Sequence, residues 1–337
     1  MRGSDRILPG AEVDRRVVLA SFDATPEDRE LSRELDRFAE VDFREDLEGD
    51  RLAEIAGRTE VLVVGGWRGT IGGDEVRGMP RLKFLQTLAA GVNHVPFASL
   101  PPSVLVSTGS GASSLEIAEH VFALMLSAAK NVVRHTTAMR RGLFPQGEES
   151  RVLSGNVLGI LGVGSIGAEV AKLGRCFGMV VHGCDKRNEV QRHVDRLYDL
   201  ENLHPFLAGL DFLVLSVPLT NETAGMISRS ELCAMKPGVV LVNVCRGGVV
   251  KEKDLFEYLS TNPDATACLD VWWKYSPDKI FRQNYPFETL ENVVMTPHNA
   301  AFYPGHHTEM VRAAFGKVLK FLKGEHLEGL ANPSEYL

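Results

Sequence analysis

The sequence predicts an α/β protein built from two parallel-sheet units, and three observations carry that prediction. Short β-branched, apolar runs alternate with amphipathic segments along most of the chain, the pattern of strands buried on both faces by crossover helices. The alternation comes as two series, separated by one long stretch of helical periodicity that begins near Ser114. The second series opens on VLGILGVGSIG, residues 157 to 167, where a buried strand runs into a glycine loop and then into a helical pattern.

The first series starts with RVVLASF (16 to 22), followed by the polar, helix-favouring TPEDRELSRELDRF. VDF (41 to 43), the helical EGDRLAEIAGR, EVLVVGG (60 to 66), RLKFLQTLAAG (81 to 91) and SVLVSTG (103 to 109) continue it. From Ser114 to Arg141 apolar residues recur at helical spacing with few breakers, so a single long helix is expected, ending at the loop RGLFPQG. The second series runs through VVHGCD, DFLVLSVP, GVVLVNV and ATACLDV to NVVMTPH, and an amphipathic helix over about 305 to 323 closes the chain.

Bulk properties narrow the function classes. A chain of 337 residues, 44% hydrophobic and 24% charged, is long enough for two domains with cores of their own. Net charge is -7 and no long basic block occurs, so a nucleic-acid backbone is not an expected partner. Five cysteines, odd in number and never spaced CxxC, fit free thiols in a reducing compartment. The amino terminus MRGSDRILPGAEVDRR has no apolar core like that of a secretory signal, and no apolar run is long enough to span a bilayer. A cytoplasmic protein is expected.

The glycine loop carries the first chemical reading. Gly162, Gly164 and Gly167 form GxGxxG around Ser165 and Ile166, and the next strand ends in Asp185, 18 residues after Gly167. A helix amino terminus facing a pyrophosphate, with a carboxylate placed to accept bonds from an adenosine ribose, is the dinucleotide fingerprint. The charge of Asp185 would repel a 2′-phosphate, which favours NAD. Lys186 and Arg187 follow directly and could neutralise such a phosphate, so NADP stays open, although the pair reads first as a solvated loop.

An ordered set of further stretches resembles the D-isomer-specific 2-hydroxyacid dehydrogenases. They are LKFLQTLAAGVNHV (82 to 95), IAEHVFALML (117 to 126), the glycine-loop segment, SVPLTNETAGMI (216 to 227), MKPGVVLVNVCRGGVVKEKDL (235 to 255), CLDV and TPH. The resemblance implies a Rossmann-type cofactor domain over 108–301, inserted into a flavodoxin-like substrate domain made of 1–107 and a returning helix in 302–337. It also implies a homodimer through the cofactor domains and a small 2-oxo or 2-hydroxy acid as substrate.

Residue by residue, the resemblance makes Arg246 the group that holds the substrate carboxylate, a task suited to a guanidinium that grips through two bonds. It makes His298, in TPHNA, the general acid and base, for which an imidazole titrating near neutrality is suited. Asp270 would face the nicotinamide side. Val217, Pro218, Thr220 and Thr223 would line the adenosine, with Val244 and Cys245 completing the cofactor wall; the Cys245 thiol is read as packing. Backbone amides of Ala90, Gly91 and Val92 would receive the carboxylate, and Trp67, with Arg68, would face the substrate. Trp272 and Trp273 read as core or pocket wall. His306 and His307 adjoin Glu309 without a matching ligand set, so no metal is expected.

One position departs from the family pattern. Five residues after Asp270, where the family usually places a glutamate on the catalytic histidine, this chain has Tyr275. Three accounts are open: a neutral tyrosine hydroxyl orients the imidazole and leaves its pKa near 6.5; the loop SPDKIFRQNYPFE returns Asp278 or Glu288 to it; or proton transfer is weak. The last would suit an NAD(H)-responsive binding protein, and a formate-like donor, which needs no proton transfer to substrate oxygen, is a further alternative.

Overall fold

A computed structural model of the chain describes residues 15–65 and 71–336. Trp67 and Arg68 lie outside the described residues. The chain divides into two compact units, one of residues 1–112 and 307–337 and one of residues 113–306.

The first unit holds five strands, β1 (Arg16–Ser21), β2 (Ala39–Phe43), β3 (Thr59–Val64), β4 (Phe84–Thr87) and β5 (Leu105–Ser107). They pair in the order β2-β1-β3-β4-β5, every pair parallel, which is the flavodoxin-like order. Helices α1 (Pro26–Ser32), α2 (Gly49–Arg58) and α3 (Gly73–Arg77) connect them. Thr25 and Asp28 close a reciprocal capping box at the start of α1.

Burial of both faces explains why β1 is apolar over residues 17–20 and β3 over residues 61–64. Val17, Leu19, Leu62 and Val64 pack on one face with Ile55 of α2. Val18, Val61, Val63 and Phe84 pack on the other against Val311, Phe315 and Val318 of the carboxy-terminal helix His306–Lys323. Phe321 of that helix stacks on Phe84 with ring centroids 4.6 Å apart. Each such buried side chain is worth about 1.5–3 kcal/mol, so this distant helix is part of the first sheet's core.

The second unit contains β6 (Val157–Leu161), β7 (Val180–Cys184), β8 (Arg196–Tyr198), β9 (Phe212–Leu215), β10 (Val240–Asn243), β11 (Thr266–Leu269) and β12 (Val293–Met295). The order is β12-β11-β10-β9-β6-β7-β8, again all parallel. Connections run outward in both directions from β6 and β9, so the crevice beyond their carboxyl ends is the topological switch point, where such sheets bind ligands. Helices α4 (Ser114–Ala129), α5 (Val132–Arg140), α6 (Ser165–Cys176), α7 (Leu203–Ala208), α8 (Arg229–Ala234) and α9 (Glu252–Thr261) accompany the strands.

The single helix expected over 114–141 is two helices. Asn131 sits between them at φ +53°, a left-handed conformation that asparagine tolerates better than most residues. Its carbonyl accepts from the His135 amide at 2.8 Å to start α5, and its side-chain amide donates to the Glu149 carbonyl. Apolar periodicity continues across the break because both helices carry it, which is why the break is silent in the pattern. Among the described residues no helix is long and apolar enough to cross a membrane.

Candidate active site

Three glycines shape the switch point, each for a steric reason. Gly162 has φ +91°, and a Cβ there would lie 2.7 Å from Val217 Cγ1 and 3.0 Å from the Ser216 backbone. A Cβ on Gly167 would fall 2.3 Å from the Gly162 carbonyl oxygen. Gly164 differs, since a Cβ there would approach only the Arg187 guanidinium, at 3.8 Å. The loop is thus packed against β9 at its ends and bare in the middle, and Ser165 and Ile166 open α6 behind it. That bare cradle at a helix amino terminus fits a dinucleotide pyrophosphate.

Asp185 follows β7 and is 8% exposed. Its carboxylate accepts from the Val163 amide at 2.8 Å, from the Arg187 amide at 3.0 Å and from Arg187 Nε and Nη2, both at 2.9 Å. Burial acts to raise its pKa, but the bonds from Arg187 and Val163 outweigh it and hold the group below the usual carboxylate range. Arg187 is exposed, as expected from sequence, but its guanidinium is engaged by Asp185. Lys186 does extend outward, its Nζ 3.8 Å from Glu222.

Beyond β9, Thr220 and Thr223 are both buried and bond to each other: each amide donates to the other's hydroxyl, and Thr223 Oγ1 donates to the Pro218 carbonyl at 2.5 Å. Their polar groups fix the turn that carries Val217 and Pro218. Val244 and Cys245 are each 7% exposed. Burial pushes the Cys245 thiol up to about 11, so at neutral pH it is an uncharged packing group, reached by a backbone bond from Val217.

Arg246, Asp270 and His298, the candidate reactive set, follow β10, β11 and β12. Asn243, the last residue of β10, accepts from the Cys245 amide and donates to the Arg246 carbonyl, both at 3.1 Å, so its side chain braces the turn presenting Arg246. Gly247 lets that turn lie against the next strand's exit, for a Cβ there would sit 2.4 Å from the Trp272 carbonyl carbon. Arg246 Nη1 donates to the Cys245 carbonyl at 2.6 Å, which leaves the remaining guanidinium donors for another group.

His298 has φ +57°, an uncommon backbone state for a residue with a side chain. Asp270 holds it there. This carboxylate is 1% exposed and accepts from the Asn299 amide at 3.0 Å, the Ala300 amide at 3.2 Å and the Thr296 hydroxyl at 2.6 Å. Thr296, its proton committed to Asp270, receives His120 Nε2 at 3.1 Å, and Trp272 Nε1 donates to the Thr296 carbonyl at 3.0 Å. The sequence reading singled out Asp270 but missed His120, Thr296, Asn243 and Gly247, which pack on or bond to the turns carrying Arg246 and His298 or to the groups that hold them. His120 lies within one of the quoted family stretches, and Gly247 follows Arg246 directly; those were the available signals.

Tyr275 packs its ring against His298 at 5.4 Å between centroids, tilted 43°. Its hydroxyl accepts the Trp272 amide at 3.0 Å and keeps its own proton, because desolvation raises its pKa above the ordinary tyrosine value. Asp278 is engaged elsewhere, by Ser276, the Ile280 amide and Arg282, and both it and Glu288 are exposed. The carboxylate whose field reaches the imidazole is Asp270. Desolvation, aided by the Arg246 charge, nevertheless wins and lowers the His298 pKa below its ordinary value. The expectation of an unperturbed imidazole is corrected in direction: without a glutamate at position 275, the opposing field of Asp270 is too weak to offset burial beside a guanidinium.

Ala90, Gly91 and Val92 follow β4 in the first unit. Val92 is 1% exposed, its side chain in the core of the first unit. A Cβ on Gly109 would fall 1.9 Å from the Leu88 carbonyl oxygen, and the Gly109 amide donates to the Ala89 carbonyl at 2.9 Å. That contact fixes the start of the loop. His307 Nε2 donates to the Asp28 carboxylate at 2.9 Å, and His306 packs on Phe302. Among the described residues no cluster of three metal-ligating side chains occurs.

Residues 122–300, more than half of the chain, match the family described as D-isomer specific 2-hydroxyacid dehydrogenase, NAD binding domain. The chain belongs to this family. It is similar to a D-3-phosphoglycerate dehydrogenase of Methanocaldococcus jannaschii, 32% identical over 310 residues that cover 88% of this chain and 56% of that one. A hydroxypyruvate reductase of Thermotoga maritima is 31% identical over 279 residues, 82% of this chain and 89% of the relative. The chain spans about half the length of the archaeal phosphoglycerate dehydrogenases it matches, 56% and 49%. The solved D-lactate dehydrogenase from Aquifex aeolicus, complexed with NAD and lactic acid, is 27% identical with a TM-score of 0.71, over 92% of this chain and 96% of that one. As a 2-hydroxyacid dehydrogenase family member the chain has an NAD-binding domain, and the glycine cradle beyond β6 and β9 is the part of it that fits the cofactor.

Proposed function

We propose that the chain interconverts a 2-hydroxy acid and a 2-oxo acid, using NAD as the hydride carrier. The observation that carries this reading is the convergence of Arg246 and Asp270 on His298: both charges act on one imidazole at the end of the cofactor sheet. Arg246 grips the substrate carboxylate and polarises its carbonyl oxygen. His298 gives a proton to the developing alkoxide in reduction and takes it back in oxidation. Bound NAD supplies or accepts the hydride. Asp270 acts as a positioning residue, since its carboxylate bonds the turn that presents His298. Asp185 receives the adenosine ribose. Residues 113–306 serve as the cofactor domain, and the first unit serves as substrate domain.

The test is a spectrophotometric panel that follows NADH and NADPH oxidation with glyoxylate, hydroxypyruvate, pyruvate and bulkier 2-oxo acids, and NAD reduction with formate. Turnover with a 2-oxo acid supports the proposal. Activity with formate alone would replace it with a hydride-only reaction. The presence of Tyr275 at the glutamate position favours a second reading, an NAD(H)-responsive binding protein, and silence across the panel combined with tight NADH binding would support that one.

The depressed His298 pKa fixes the sign of the pH dependence. Oxidation needs the neutral imidazole, so its kcat/KM should be level at neutrality and fall as pH drops through a value below about 6.5. Reduction needs the imidazolium, so its kcat/KM should already be declining by pH 6.5 as pH rises. Tyr275→Glu, which adds a carboxylate beside the ring, should move both limbs to higher pH. A wild-type limb above neutrality would sink this account of Tyr275.

A homodimer through the cofactor domain is supported by exposed apolar side chains on and after α5: Val132, Val133, Met139, Leu143 and Phe144 are 48–72% exposed. Light scattering should give twice the 37.0 kDa of one chain. A cytoplasmic location fits the five free cysteines.

A further inference from the structure

We infer that Arg187 occupies the seat of the adenosine ribose on Asp185 and so sets the balance between the two dinucleotides: its side chain must leave for NAD(H) to bind, and it meets the 2′-phosphate when NADP(H) binds. The inference rests on the reading of Asp185 as the ribose acceptor, and it concerns a residue which that reading leaves unassigned.

A carboxylate offers about four lone-pair positions. All four on Asp185 are taken by the donors described above. Two of these are backbone amides, of Val163 and Arg187, which stay in place whatever the side chains do. The other two are Nε and Nη2 of the Arg187 fork. A ribose diol brings two hydroxyl donors, so it competes for the two positions the fork holds and for no others. The fork is able to leave, because the Arg187 side chain is 45% exposed while that of Asp185 is 6% exposed.

The guanidinium also lies over the cofactor cradle, 3.8 Å from where a Cβ on Gly164 would be, on the one glycine of the three that is otherwise open. Rotating off Asp185, it remains a planar cation beside the ribose position, the geometry that binds a phosphate through two bonds. Lys186 does not substitute for it, being directed to Glu222. Two opposite effects follow from one side chain. NADH binds to the fraction of molecules in which the fork has opened, so its apparent affinity is reduced by that fraction. NADPH recovers part of what Asp185 repulsion costs it.

The experiment is a fluorescence titration of NADH and NADPH into the purified full chain and its Arg187→Ala, Arg187→Lys and Asp185→Asn variants, reading dissociation constants rather than turnover. Arg187→Ala is expected to bind NADH about tenfold tighter and NADPH about tenfold weaker. Arg187→Lys keeps the charge without the fork, and is expected to tighten NADH while holding most of the NADPH affinity. An Arg187→Ala variant whose NADH-to-NADPH ratio equals that of wild type overturns the inference, as does one that binds NADH more weakly. Asp185→Asn separates the two ideas. If it weakens NADH while the Arg187 variants leave the ratio unmoved, only the role of Arg187 falls. If it leaves NADH affinity unchanged, the ribose reading of Asp185 falls and takes this inference with it.

Discussion

Replacing His298 with alanine is expected to lower turnover of a 2-oxo acid by about a hundredfold to ten-thousandfold while the dissociation constant for NADH stays within about twofold. The split follows from where the imidazole sits. It stands on the turn after β12, held by Asp270 through the Asn299 and Ala300 amides, whereas the glycine cradle lies beyond β6 and β9. Removing the ring deletes the proposed proton donor and leaves the cradle's steric frame intact. Stopped-flow turnover and NADH fluorescence on the same preparation check both halves. Turnover equal to wild type would remove His298 from the chemistry. An equal fall in NADH affinity would point to collapse of the turn instead, and thermal unfolding of the variant distinguishes that case.

Arg246→Lys is expected to reduce kcat/KM for the 2-oxo acid by about a hundredfold, chiefly through KM. Lysine preserves the charge but not the planar pair of donors, so a loss of this size would show that geometry and not charge alone binds the carboxylate. Asn243 and Gly247 hold the turn by its backbone, so the substitution should not disturb where position 246 is presented. Arg246→Gln adds a second readout. The Arg246 charge helps depress the His298 pKa, so its removal should shift the pH limbs upward, while Arg246→Lys should leave them near the wild-type position. Identical limbs in all three proteins would separate Arg246 from His298.

The tyrosine at 275 sets the character of the site. A glutamate there would stabilise the imidazolium; a tyrosine with its proton retained packs on the ring without charge. Burial and Arg246 then decide, and both favour the neutral base. A histidine of lowered pKa is mostly unprotonated at neutral pH, so under the proposed reaction the proton acceptor needed for oxidation is abundant there and the proton donor needed for reduction is scarce.

Much of this was legible in the chain itself. The two series of strands and the glycine loop with Asp185 after the next strand come from patterns within some twenty residues, the range over which periodicity and loop chemistry operate, whereas Arg246, His298 and Tyr275 were singled out by the resemblance to the family. Tertiary structure decided the rest. The break at Asn131 lay hidden because one left-handed residue does not interrupt an apolar stripe. The last helix belongs to the first sheet because Phe321 and Val318 meet Phe84 and Val18 across the chain's full length. The clamp of Arg187 on Asp185 depends on which way one flexible side chain turns. The state of His298 depends on a sum of burial and charge from Arg246 and Asp270, groups whose separation in sequence says nothing of their separation in space. Residue types determine what chemistry is available; only packing removes the water and sets the distances that decide which protonation state wins.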